Sequence, residues 1–265
     1  MRAASVILRP LTLLMAASLV PTIQGFSPSC FFWNFIPSGK NNPQTTIAPF
    51  EGNDNKDMIE MARFFTASFW NRKSGRSGAD GNNNKLSTNQ YNLLLSTQIS
   101  EFRKKYWKKN RFVTTHNLDG PAELLICKDE SDAEVMGCVG IEIASISKHG
   151  TSSACTGTNR SDKSSFEPFI QAPLMSNVAV GEKHRRKGVA EELVKAAEEL
   201  AQCEWGYKDC YLFVDEQNIP ALKLYKKLGY KIEWKDDNAT ILKPDSKGGV
   251  GKVPSVVFCM RKFLN

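Results

Sequence analysis

Apolar side chains recur along this chain at two different spacings, and the spacing predicts the elements. Between Asn55 and Trp70 the residues Met58, Met61, Ala62, Phe65 and Phe69 fall every three or four positions, which is one face of a helix. A second stripe, Tyr91, Leu94, Leu95, Ile99 and Phe102, predicts a helix over residues 88–109 that ends in the basic run 103–109. Those charges read as a solvated helix face, with an anionic contact as the alternative. Shorter apolar runs predict strands at 45–50, 123–127, 134–146, 173–180, 210–214, 230–234 and 255–263. The polar turn Asp129-Glu130-Ser131-Asp132 makes 123–127 and 134–146 a predicted hairpin. Two further helices are predicted over 186–203 and 218–228. In the first of these Val189, Leu193, Ala196, Ala197 and Leu200 should face a sheet, and Glu191, Glu192, Lys195, Glu198 and Glu199 should face water.

Three stretches carry neither period: 71–86, 148–171 and 243–253. Their Gly, Asn, Ser, Thr and Lys content predicts polar loops. A loop as long as 148–171 is unusual within a compact domain. It would either shape a substrate entrance or be an inserted segment. Residues 46–265 are expected to form a single domain.

Composition changes the picture mainly at the start. The 265 residues carry a formal net charge of +7, but residues 1–50 contain no Asp or Glu. Arg2 and Arg9 flank the beginning, residues 11–20 are apolar, and a Ser-, Thr-, Asn- and Pro-containing segment follows. Residues 1–45 therefore read as a targeting presequence, signal-like and then transit-like, that is disordered or removed. This resembles the two-stage presequences of plastid proteins, with plain secretion and a retained anchor as the alternatives. The seven cysteines, Cys30, Cys127, Cys138, Cys155, Cys203, Cys210 and Cys259, have no disulfide-framework or zinc spacing. Buried thiols are expected, which disfavours an oxidising destination. His116, His149 and His184 are scattered singly, and no metal is expected. Each is expected to be a surface or satisfied residue.

The chemistry concentrates in two segments. Val178-Ala179-Val180 runs into the basic turn Lys183-His184-Arg185-Arg186-Lys187-Gly188 and then into a helix. A strand delivering a helix start is an anion cradle: the first turn has free backbone N–H groups and the positive end of the helix dipole. Gly188 lets the backbone approach a phosphate closely. Neither the GxxxxGK[ST] nor the GxGxxG phosphate loop is present here. Thirty residues after Gly188 begins Asn218-Ile219-Pro220-Ala221, continuing to Tyr225 and Gly229-Tyr230. Asn218 should cap this helix, Pro220 suits its first turn, and Ala221, Leu224, Tyr225 and Leu228 share a face.

The pattern Arg185-x-x-Gly188-x-Ala190, followed by Asn218-x-x-Ala221-x-x-x-Tyr225-x-x-x-Gly229-Tyr230, closely resembles motifs A and B of the GNAT acyl-CoA N-acyltransferases. The resemblance implies an α/β (α+β) fold of mixed, mostly antiparallel sheet flanked by helices, with the cofactor strand splayed from the next strand. It implies acetyl-CoA as co-substrate and no metal. Val178, Ala179 and Val180 would match the pantetheine-binding strand. Arg186, Lys187, Gly188, Val189, Ala190 and Glu191 would match the pyrophosphate loop. Asn218 would match a side-chain contact to the cofactor, and Tyr225 the acid that protonates the leaving thiolate. The general base stays open. Some members carry glutamate where this chain has Leu174 or Phe213, so Asp215, Glu142 and a water chain remain.

The resemblance implies transfer of an acetyl group to a primary amine, first of all N-terminal α-amines and lysine ε-amines of proteins, as in plastid GNAT enzymes. The alternatives are a polyamine or arylalkylamine acetyltransferase and a non-catalytic acyl-CoA sensor. No nucleic-acid partner is expected, nor a membrane partner for the mature form.

Overall fold

The computed structural model describes residues 45–52, 54–70, 86–107, 121–131, 133–147 and 169–265. The expected presequence (except Thr45), the loop at 71–85, most of the loop at 148–171, and His116, His149, Cys30 and Cys155 lie outside the described residues.

Strand β1 (Thr45–Pro49) is followed by helices α1 (Asn55–Trp70) and α2 (Thr88–Tyr106). Strands β2 (Ala122–Asp129), β3 (Val135–Ser147) and β4 (Phe169–Val180) follow. After β4 come α3 (Val189–Glu199), β5 (Asp209–Asp215), α4 (Ile219–Lys227) and β6 (Lys231–Asp236). Strands β7 (Thr240–Pro244), β8 (Val250–Pro254) and β9 (Val257–Phe263) complete the order. Seven strands form one sheet in the order β1-β2-β3-β4-β5-β9-β6. Every neighbouring pair is antiparallel except β4 with β5, which is parallel. The sheet is thus mixed and mostly antiparallel, with helices packed on it.

The helices start where local chemistry allows. The Asp54 carboxylate accepts a hydrogen bond from the Asp57 amide at 2.8 Å, which satisfies a donor of the first turn of α1. Ser87 and Gln90 form a reciprocal capping box at the start of α2. The predicted stripes of α1 and α2 then meet in the core. Phe102 packs edge-on against Phe65 and Tyr106, at ring-centroid distances of 5.7 and 5.5 Å. Met58, Met61, Leu124, Ile126 and Cys138 fill the space around them. Burying a large apolar side chain of this kind is worth about 1.5–3 kcal/mol.

Four expectations need correction. Residues 243–253 are not an irregular loop, because β7 and β8 pair from Thr240↔Pro254 to Pro244↔Val250 as a separate two-stranded sheet. Polar and glycine residues conceal this hairpin: its turn is closed by Asp245 Oδ1, which accepts from the amides of Lys247 and Gly249, both at 2.8 Å. Residues 169–171 belong to β4 rather than to the preceding loop. The helix after the basic turn begins at Val189, since residues 182–184 form a separate 3-10 turn, and it ends in a π-type turn at 200–204. Glu198, expected in water, is only 8% exposed, and Lys262 on β9 donates to its carboxylate at 2.6 Å.

Candidate functional site

The site begins where two parallel strands part. β4 and β5 pair only at Leu174↔Tyr211 and Met175↔Leu212. Past Met175, β4 stays on β3 and leaves β5. The cause is a bulge: Cys138 lies opposite Ala179 and Gly140 opposite Ser176, so Asn177 and Val178 together face Val139. Asn177 takes the left-handed conformation at φ 53°, which asparagine tolerates better than most residues. Its side-chain Nδ2 donates to the Tyr106 hydroxyl at 3.2 Å, and its carbonyl accepts the Cys138 thiol at 3.5 Å. The β5-facing edge of residues 176–180 is therefore left without ladder partners.

This parting opens into a cavity of about 900 Å³. One wall is β4 from Leu174 to Val180, and the opposite wall is β5 from Phe213 to Asp215. At one end lie Arg186, Gly188, Val189, Ala190 and Glu191. Asn218, Ala221, Leu224 and Tyr225 of the α4 segment close the side. Phe65, Ser68 and Phe69 of α1 also line the cavity, as do Ala239, Thr240 and Ile241 of the hairpin root.

The basic turn is built for an anion. Gly188 is the N-cap of α3 at φ 89°, and no side chain caps the helix. The N–H groups of Val189 and Ala190 are thus available to a ligand at the positive end of the dipole, while that of Glu191 donates to the Gly188 carbonyl at 2.8 Å. Arg186 is also left-handed at φ 62°, an uncommon conformation for a non-glycine residue. Arg185 braces the turn: Nε donates to the Val180 carbonyl at 3.2 Å and Nη2 to the Ser68 carbonyl at 2.6 Å. The second bond satisfies one of the carbonyls left over at the end of α1. Glu191 would repel a phosphate, but Lys227 (2.7 Å) and Lys195 (3.0 Å) both donate to it. Lys227, and Lys195 after it, hold the Glu191 carboxyl below its ordinary pKa.

Tyr225 is 7% exposed, lines the cavity, and packs edge-on against Tyr230 at 5.8 Å. Burial, reinforced by Cys210, raises its phenol pKa far above the ordinary tyrosine value. The hydroxyl is therefore a proton donor throughout the neutral range and not a phenolate base.

The structure gathers ten of the eleven sequence-predicted site residues on one cavity: Val178, Ala179, Val180, Arg186, Gly188, Val189, Ala190, Glu191, Asn218 and Tyr225. Lys187 sits in the turn but not on the cavity wall. Asn218 occupies the N-cap position of α4 but makes no side-chain capping bond, contrary to expectation. Among the carboxylates considered as base, Glu142 lies off the cavity wall and accepts from Lys105 at 2.7 Å. Asp215 is on the wall, and its Oδ1 accepts from Ser255 Oγ at 3.0 Å and from the Gln217 amide at 2.9 Å. His184, expected to be a surface or satisfied residue, is 7% exposed with neither ring nitrogen hydrogen-bonded, and Glu134 lies 3.7 Å from Nε2. The sequence reading missed the α1 residues, Asn177 and the hairpin root. An asparagine near the end of an apolar strand was the one available signal of a bulge.

The model of the "Acetyltransferase (GNAT) family" matches residues 90–230. "GCN5-related N-acetyltransferase 4, chloroplastic" of Arabidopsis thaliana is 47% identical over 57 residues, which is 22% of this chain and 19% of that protein. An "N-alpha-acetyltransferase" of Saccharolobus solfataricus is 38% identical over 55 residues, 21% of this chain and 33% of that protein. The chain thus matches a third or less of the length of these relatives. Among solved structures, an acetyltransferase of the GNAT family from Streptococcus pneumoniae aligns at TM-score 0.46 and 16% identity, covering 84% of this chain and all of that one.

Proposed function

This chain belongs to the GNAT family of acetyltransferases, and from that premise we propose that it transfers the acetyl group of acetyl-CoA to primary amines of proteins, N-terminal α-amines and lysine ε-amines. One observation carries the reading: the unpaired edge of β4, the uncapped start of α3 and the largely buried Tyr225 line a single cavity.

The residues fit acetyl-CoA, which supplies an activated thioester. Val178, Ala179 and Val180 offer strand backbone to a pantetheine amide chain, as an added strand would. The N–H groups at the start of α3, with Arg186, suit a pyrophosphate. A backbone N–H on the parted edge stabilises the oxyanion that forms as the amine attacks the carbonyl. The C–N bond forms, the C–S bond breaks, and Tyr225 delivers its proton to the departing thiolate sulfur. The attacking amine must first be neutral; an α-amine, near pKa ~8, needs less help than a lysine near ~10.4. Asp215 is one carboxylate of the wall that can take up that proton, directly or through water; Asp236 also lines the wall, as does Glu191, which is held by two lysines.

The α-amine part of the reading draws support from the Saccharolobus relative, whose name specifies that amine. A plastid location is part of the proposal. It rests on the acid-free first fifty residues and on the chloroplastic name of the Arabidopsis relative. A fluorescent protein fused behind residues 1–50 should reach the plastid, and appearance only in the medium would establish secretion instead. The activity is tested by mass-spectrometric profiling of α- and ε-acetylation in bacteria expressing the chain. New acetylation that disappears in a Gly188→Val variant supports the reading; an unchanged acetylome together with no transfer to peptides in vitro refutes it.

A further inference from the structure

We propose that Glu191 is an affinity-lowering residue of the phosphate cradle: its carboxylate, pinned at the start of α3 by Lys227 and Lys195, stands against the phosphates of the bound cofactor and hastens release of the spent CoA. This role rests on the acetyl-CoA cradle of the reading above and adds what governs how long the cofactor stays there.

Glu191 is the third residue of α3, two residues past the uncapped start that offers its amides to an anion. Its side chain lines the same cavity as Arg186, Gly188, Val189 and Ala190. A carboxylate in the first turn is favoured by the helix dipole, so it stabilises the start of α3 when no anion is bound. A diphosphate arriving at the same end competes for that dipole and meets a like charge beside it. The helix does not require an acid on this side. Glu192, the next residue, also supplies a carboxylate to the first turn. It lies off the cavity wall and accepts from Thr45 Oγ1 of β1 at 3.4 Å.

The Glu191 carboxylate is tied in place by both oxygens. Lys227, the last residue of α4 and itself on the cavity wall, donates to Oε2 at 2.7 Å. Lys195, one turn further along α3, donates to Oε1 at 3.0 Å. Lys227, and Lys195 after it, hold the carboxyl in its ionised form at neutral pH. The two lysines carry one more charge than the acid between them, so the cradle still attracts an anion. The acid nevertheless cancels part of that attraction, and the two ties stop it from swinging away from an incoming phosphate.

A transferase takes up a fresh cofactor in each cycle, and the spent one must leave first. Product release limits turnover in many enzymes. CoA and acetyl-CoA carry the same phosphates, so a contact in the cradle acts on both alike. A repulsive carboxylate there shortens the residence of each, while the thioester end remains free to be recognised elsewhere in the cavity.

The test uses the full chain with Glu191→Gln, the charge-conserving Glu191→Asp, and Glu192→Gln as a control. Calorimetry measures affinity for acetyl-CoA, for inorganic pyrophosphate and for S-acetylpantetheine, which carries no phosphate; stopped-flow displacement follows CoA release. Glu191→Gln should tighten acetyl-CoA by about two- to fivefold, the effect of one charge at a helix end, and should slow CoA release by a similar factor. Pyrophosphate should gain likewise, and S-acetylpantetheine should gain nothing. The difference from the parent should fade towards about 1 M salt, where exposed charges are screened within about 3 Å. Glu191→Asp and Glu192→Gln should each stay within about twofold of the parent. Unaltered or weaker acetyl-CoA affinity in a folded Glu191→Gln variant overturns the proposal. So does an equal gain in Glu191→Asp, a gain for S-acetylpantetheine, or a gain that persists at high salt, since packing rather than charge would then be the cause. If the parent chain binds acetyl-CoA but acetylates no amine, the transferase reading fails on its own, and the same affinities still decide the role of Glu191. If it binds neither acetyl-CoA nor pyrophosphate, the cradle and this role fail together.

Discussion

The side-chain amide of Asn177 donates to the hydroxyl of Tyr106 across 3.2 Å, and through that bond α2 reaches the point where β4 leaves β5. Asn177 is the left-handed residue of the bulge, so a helix side chain supports the conformation that opens the cofactor cleft. Removing the hydroxyl with Tyr106→Phe leaves the amide with only Ser176 Oγ, at 3.3 Å, among its hydrogen-bond partners. The loss should lower stability by about 1–3 kcal/mol in denaturant titration and weaken acetyl-CoA binding in parallel. An unaltered affinity would show that the bulge holds without Tyr106.

Gly140 makes room for that same hydroxyl. A Cβ at residue 140 would lie 2.1 Å from the Tyr106 oxygen and 3.0 Å from its Cζ. Gly140→Ala should therefore destabilise the protein by about 1–3 kcal/mol through overpacking. Tyr106→Phe should recover part of that loss, and a double-mutant cycle should show coupling between the two sites. Strict additivity would place the strain elsewhere.

At the cradle, Gly188→Val forces a β-branched residue to φ 89°. The backbone penalty is about 1–3 kcal/mol, and the added side chain occupies the approach to the first-turn amides. Calorimetry should detect no acetyl-CoA binding while circular dichroism shows the fold retained. Binding of normal strength would mean that the anion sits elsewhere.

For Tyr225 the expected effect is kinetic. Tyr225→Phe should reduce the single-turnover transfer rate by about 10²–10⁴-fold with a nearly unchanged acetyl-CoA dissociation constant. Because its pKa is raised, the wild-type rate should show no loss attributable to Tyr225 ionisation up to about pH 10. The competing view, that the ring is only packing beside Tyr230, requires a small stability change and an unaltered transfer step.

Alkaline pH should unfold the protein early. Burial pushes the thiols of Cys127, Cys138 and Cys210 up to about 12, and the Tyr106 phenol likewise up to about 12. The folded state keeps protons that the unfolded chain releases near ~8.5 for cysteine and ~10 for tyrosine. Their stabilising contribution is complete below those values and is lost as pH rises towards about 12. Urea midpoints measured from pH 7 to 11 should fall steadily above about pH 8.5, and Cys138→Ala with Tyr106→Phe should flatten the slope. A flat profile in the parent chain would contradict the buried placement.

What the sequence determined by itself is whatever local chemistry dictates. The stripes of α1 and α2 recur at helical spacing because burying one face is what stabilises a helix in a domain, and both helices form where those stripes lie. The cradle was legible because a glycine beside a helix start is a local device, and Gly188 adopts the positive φ that such a turn uses. Tertiary structure alone decided the rest. The cleft exists because two strands far apart in the chain pair for two residues and then separate over a bulge at Asn177. That partnership depends on Tyr106, 71 residues away, and no periodicity encodes it. Glu198 is buried because Lys262 from β9 reaches it, although its helical position alone placed it in water. The β7–β8 hairpin was hidden for a related reason: its strands bury little apolar surface and depend on carbonyls held by Gln90, so their order comes from hydrogen bonds to a distant helix rather than from a hydrophobic pattern of their own.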